Sequence, residues 1–83
     1  MRVIRYPLSS EKSIRLMESE NKLMFVVDRK AKKQEIKKAL EELYNVKIVK
    51  VNTLITPSGQ KRAYIKFAED SPAIDLATKL GLM

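Results

Sequence analysis

The side chains best suited to chemistry in this 83-residue chain are cations beside an aromatic ring. Arg62, Tyr64 and Lys66 alternate along one segment, so an extended backbone puts all three on one face. A flat ring can stack on an unpaired base while flanking cations reach phosphates. The same pattern also fits a strand whose Tyr packs beneath a helix. A second group, Arg29, Lys30, Lys32, Lys33, Lys37 and Lys38, leads into an amphipathic stripe that ends in Glu41 and Glu42. This order opposes the helix dipole, which favours acids at the start by roughly 0.3–1 kcal/mol each. Lys37–Glu41 and Lys38–Glu42 also run in the weaker direction for such pairs. Helix starts attract phosphates through outward-pointing amides, so the cluster reads as an anion-binding end; the alternative is a solvated Lys-rich face. Arg2, Arg5, Tyr6 and Lys12 form a third group. Asn52 is polar within an apolar stretch. Its amide donates and accepts at once, which suits ribose or base edges, or it caps a local turn.

Other chemistries are poorly served. The chain has no His and no Cys, which removes thiolate nucleophiles, zinc knuckles and the usual acid/base group near neutral pH. Glu41-Glu42 and Glu69-Asp70 are adjacent pairs, and neighbours along a helix do not face each other. Gly59 is the single internal glycine before the last segment, too few for a phosphate-wrapping loop. No metal or cofactor is expected. The longest apolar run, residues 23–27, is far short of the ~20 residues a membrane span needs, and the first ten residues lack the apolar core of a secretory leader. The net charge is +7. Sixteen basic and seven acidic side chains lie in residues 1–66, whereas residues 67–83 hold one Lys and three acids. A basic cytoplasmic domain with a mildly acidic end is the expectation, and nucleic acid is its natural partner.

The elements that must position these groups follow from periodicity. Residues 2–6 read as a strand stopped by Pro7. Ser9 and Ser10 offer caps to a helix over residues 10–19, with Ile14 and Met17 inward and Asn21 at its end. Leu23, Phe25 and Val27 alternate with Met24 and Val26, which predicts a strand covered on both faces, one helix on each. Ile36, Ala39, Leu40 and Leu43 define a helix over 32–44, closed by Asn45. Residues 46–56 form a β-branched strand. Pro57, Ser58 and Gly59 turn it, and residues 61–68 return as its hairpin partner. Ser71-Pro72 starts a short helix with Ile74, Ala77 and Leu80 inward and Gly81 after it. The fold class is α+β: a mostly antiparallel four-stranded sheet with helices packed on its faces, ordered β-α-β-α-β-β plus a short C-terminal helix, in one domain spanning residues 1–83.

Four segments together resemble a known family. Pro7 with Ser10-Glu11-Lys12-Ser13 resembles the P-x-x-[ST]-E-K-[AS] opening of the large-subunit ribosomal protein family numbered twenty-three. Phe25-Val26-Val27-Asp28 with Ala31, Lys33, Glu35, Ile36 and Lys37 is similar to its FxVdxxAxKxeIK stretch. Val46-Lys47-Ile48 with Val51-Asn52-Thr53-Leu54 resembles VxVxxVNTL, and residues 61–66 resemble KKAYVxL. Phe67 stands where the family usually has Leu, and Lys32 where Asn or Thr is common.

The resemblance implies a structural constituent of the large ribosomal subunit, without catalytic activity. It would bind 23S-type rRNA near the polypeptide exit tunnel, beside ribosomal protein twenty-nine of that subunit. Signal recognition particle and the translocon would dock nearby. The family's rRNA-binding positions fall on Ser10, Lys12, Lys33, Lys37, Asn52, Thr53 and the strand carrying Lys61, Arg62, Tyr64 and Lys66; Arg5 and Lys30 join them from the basic clusters. Glu11 falls at the family's factor-docking surface, or serves only as a helix-cap acid. The short connection after Pro57 resembles the archaeal type rather than the bacterial one, whose long loop enters the tunnel. Two rival classes remain: a small acylphosphatase-like enzyme using Asn52 and Arg62, and a basic protein-interaction or membrane-surface module.

Overall fold

The computed structural model describes residues 3–81; Arg2 of the predicted basic cluster lies outside them. The elements are β1 (Ile4–Pro7), α1 (Glu11–Glu20), β2 (Lys22–Val27), α2 (Lys33–Tyr44), β3 (Ile48–Ile55), β4 (Lys61–Phe67) and α3 (Ala73–Lys79). The four strands form one antiparallel sheet in the order β1-β2-β4-β3. The α+β expectation is met in class, element order and sheet.

Local chemistry explains the boundaries. Ser10 caps α1, its hydroxyl accepting the Ser13 N–H at 3.2 Å. Ser13 is buried, and its own hydroxyl donates to the Leu8 carbonyl at 2.8 Å. Asn21 and Asn45 end α1 and α2 with φ of 55° and 53°, the left-handed conformation that Asn tolerates better than most residues. At the start of α2, the Lys32 N–H donates to Glu35 Oε1 at 3.0 Å; a Lys ammonium has no acceptor with which to return that bond. The β3–β4 connection is closed by Thr56 N–H to Gln60 carbonyl at 2.8 Å and Gly59 N–H to Thr56 carbonyl at 2.9 Å, with Gly59 at φ 87°.

Cross-strand partners in an antiparallel sheet share a face. Leu23, Phe25 and Val27 therefore lie with Ile65, Ala63 and Lys61, their partners on β4. Buried side chains of all three helices join these apolar residues in one core: Met17 from α1, Ile36 and Leu40 from α2, and Ala73, Leu76 and Ala77 from α3. Met24 and Val26 alternate to the other face. They are buried but stand outside that core cluster. Core residues of all three helices pack with the opposite face, so the expectation of one helix on each face is not met; Val26 sits in register between Tyr6 and Arg62, and Met24 lies beside Tyr64.

Two predicted stripes need correction. Leu43 is 64% exposed, and Tyr44 packs against the core in its stead. In α3 the helix starts at Ala73 with Pro72 as its cap, one residue later than Ser71-Pro72 predicted. Ala77 is buried and Leu80 packs against the core as expected, but Ala73 and Leu76 complete the inward stripe and Ile74 is 47% exposed.

Candidate nucleic-acid interface

The register sorts the predicted binding residues by face. On the even-numbered face, three rows cross the sheet. The first is Tyr6–Val26–Arg62–Leu54, the second Met24–Tyr64–Asn52, and the third Lys22–Lys66–Lys50. No carboxylate occupies any of the three rows. Arg62, Tyr64 and Lys66 thus share a face as their alternation predicted, and Asn52 stands directly across from Tyr64.

Local contacts order this surface. Gln60 Nε2 donates to the Tyr6 hydroxyl at 3.0 Å, and Gln60 Oε1 accepts from Arg62 Nε at 2.9 Å. One amide therefore links Tyr6 and Arg62 within the first row. Lys12, from the first turn of α1, places its ammonium 5.7 Å from the centroid of the Tyr64 ring, a cation–π distance. The N-terminal and last-strand groups, separate in sequence, meet at Tyr64. Lys66, Asn52 and Lys50 are exposed. Lys22 is only 22% exposed at its side chain and lies 3.4 Å from Glu20.

Other residues lie elsewhere. Thr53 pairs with Ala63 and so belongs to the core-side face, opposite its neighbour Asn52. Lys61 pairs with Val27 and Ile55 on that same side, and its ammonium donates to the Ala31 carbonyl at 2.6 Å. One donor of the Lys61 ammonium thus ties β4 to the α2 entry. Ser10 is occupied as the α1 cap. Arg5, at a β-bulge between Ile4 and Tyr6, lies 3.7 Å from Asp28. Glu11 is exposed and pairs with Arg15 at 2.6 Å.

Lys30, Lys33 and Lys37 form a second cationic surface around the α2 entry, all exposed and without an ion pair to a described carboxylate. Asp28 organises this entry. Its Oδ1 accepts the Lys30 N–H at 2.8 Å and its backbone carbonyl accepts from Ala31 at 3.0 Å. The carboxylate pairs have structural partners: Glu41 Oε2 accepts the Ile48 N–H at 3.3 Å, and Asp70 lies 3.4 Å from Lys47. Among the described residues no cluster of acidic groups is arranged to hold a metal ion, and no helix is long and apolar enough to cross a membrane.

Tyr6 of the N-terminal group joins the first row, and Lys22 and Lys50, which the sequence reading does not single out, complete the third. Parity carried the missing signal: Lys50 precedes Asn52 by two, and Lys22 precedes Met24 by two, so each shares its neighbour's face.

A family model described as "Ribosomal protein L23" matches residues 2–74. "Large ribosomal subunit protein uL23" of Trypanosoma brucei brucei is 52% identical over 82 residues, which cover 99% of this chain and 50% of that protein. "Large ribosomal subunit protein uL23B" of Caenorhabditis elegans is 52% identical over 81 residues, covering 98% of this chain and 56% of its own. The chain spans about half the length of these curated relatives. Both are eukaryotic, so they lend nothing to the archaeal-type expectation. The match over nearly the whole chain places it in the ribosomal protein L23 family.

Proposed function

We propose that this chain acts as a single rRNA-binding domain, a non-catalytic structural constituent of the large ribosomal subunit in the cytoplasm. The observation that carries this reading is the even face of the sheet, where Lys22, Lys66 and Lys50 form one row beside Tyr64 and Asn52 with no carboxylate among them. Such a face offers phosphates cations and offers bases a ring and an amide. The exposed Lys33 and Lys37 extend the field around the α2 entry.

The reading includes a position near the polypeptide exit, beside ribosomal protein twenty-nine. Signal recognition particle and the translocon would meet the exposed surface that includes Glu11. The acidic end of the chain supports a division of labour, since Glu69, Asp70 and Asp75 repel phosphates and suit protein neighbours. The acylphosphatase-like alternative lacks support in the geometry: Arg62 Nε is engaged by Gln60, and the nearby connection is a tight one-glycine turn rather than an anion cradle.

Sedimentation tests the reading. The chain is expected to travel with large subunits at moderate salt and to leave them at high salt, because phosphate neutralisation releases condensed counterions. Failure to sediment with subunits at any salt overturns it.

A further inference from the structure

Within the RNA-binding reading, on which this inference rests, the β4–β3 half of the even face is not uniform. Lys50 and Lys66 are plain phosphate ligands that any RNA would satisfy. The row above them differs in chemistry. Tyr64 is half-buried, anchored beside buried Met24, and Asn52 stands across from it in register with its side chain exposed. One row further lies Leu54, 41% exposed on the same face. An aromatic ring, a primary amide and an aliphatic side chain therefore sit together in a border of cations: Lys12 over the ring, Lys50 and Lys66 on one side, Arg62 on the other.

A paired RNA helix makes little use of that centre. Its bases are stacked inside the duplex, and it offers proteins chiefly phosphates and 2′-hydroxyls. An unpaired base uses every part of it. Its flat face packs on Tyr64 and the Leu54 methyls, its edge meets an amide that both donates and accepts, and its phosphate meets the ammonium of Lys12 or Lys66. The Lys12 cation–π contact occupies the ring when no base is present. Exchanging it for base stacking frees that ammonium for the phosphate.

We propose that Tyr64, Asn52 and Leu54 form a seat for one unpaired nucleotide, bulged or looped out of the RNA that Lys50 and Lys66 hold by its backbone.

The test uses the whole chain and two short RNA duplexes of equal length, one fully paired and one carrying a single bulged 2-aminopurine. The bulged duplex is expected to bind about tenfold more tightly, with quenching of 2-aminopurine fluorescence as the base stacks. Asn52→Ala, an exposed change, is expected to remove most of that preference by lowering affinity for the bulged duplex far more than for the paired one. Tyr64→Phe keeps the ring and should retain the quenching; Tyr64→Leu should lose it. Equal affinities for the two duplexes, with an ordinary salt dependence and no quenching, would overturn the seat and leave RNA binding by the face intact. Binding to neither duplex at low salt would overturn the seat together with the RNA-binding reading.

Discussion

Asn21 Oδ1 accepts the backbone N–H of Ala73 at 2.6 Å, across 52 positions of sequence. The same side chain donates from Nδ2 to the carbonyls of Phe67 and Ala68, both at 3.1 Å. One amide thus donates to the last carbonyl of β4 and the one after it and caps α3 in place of the Ser71 that sequence favoured, while the backbone of the same residue ends α1. Its backbone is left-handed as well, at φ 55°. Asn21→Gly keeps the left-handed backbone and loses three hydrogen bonds to partly buried groups. A loss of about 2–3 kcal/mol is expected in denaturant unfolding. Asn21→Ala adds the left-handed penalty, about 1 kcal/mol more. Equal midpoints for the two variants would show that backbone conformation contributes nothing at this position.

Lys61 gives a second prediction. Its ammonium donates to the carbonyl of Ala31, a residue only 1% exposed, and so ties β4 to the entry of α2. Lys61→Met should destabilise the fold by roughly 1.5–3 kcal/mol, the range for a hydrogen bond with a charged partner. If the Ala31 contact holds the ammonium away from the RNA, the salt slope of RNA binding should change little. Lys66→Met should do the reverse, lowering the slope by nearly one unit at constant stability. Thermal melts and salt titrations of the two variants separate these roles.

The helix α2 supplies a third. Leu40 is fully buried and Leu43 is 64% exposed, although both fall on the predicted stripe. Leu40→Ala should therefore lose about 2–5 kcal/mol, as buried Leu truncations do, and Leu43→Ala less than about 0.5 kcal/mol. Comparable losses at both positions would contradict the packing of α2.

These cases show where a sequence speaks and where it stops. Alternation in residues 61–67 and the apolar run of β2 fixed strands and faces, because a period of two leaves no freedom once one face is buried. Ser10, Asn21 and Asn45 announced helix ends through their local backbone chemistry. Leu43 and Ile74 misled because a helical stripe is about 100° wide and periodicity does not say which edge is covered: Tyr44 packs against the core in α2, and Ala73 and Leu76 fill it in α3. The binding surface was legible as residue types. Its composition was legible only in part: parity puts Lys50 with Asn52, but the long reach of Lys61 to Ala31 cannot be read from spacing. Thr53 and Asn52 looked like one polar pair, yet successive residues of a strand face opposite ways.

The α2 entry tests the cationic field independently of the sheet. Lys33 and Lys37 are exposed, lie one helical turn apart and have no described carboxylate partner, so neither contributes to the fold through an ion pair. Their position at the start of α2 also opposes the dipole, and removing them relieves that repulsion. The double change Lys33→Ala, Lys37→Ala is therefore expected to leave stability unchanged or slightly raised. Each phosphate that the protein no longer neutralises lowers the slope of log K against log salt by roughly 0.7–0.9. The double variant should therefore show a slope shallower by about 1.5 units in a filter-binding titration with rRNA, and affinity should fall most at low salt. A titration parallel to that of the unmodified chain would remove α2 from the interface and leave RNA binding to the sheet face alone.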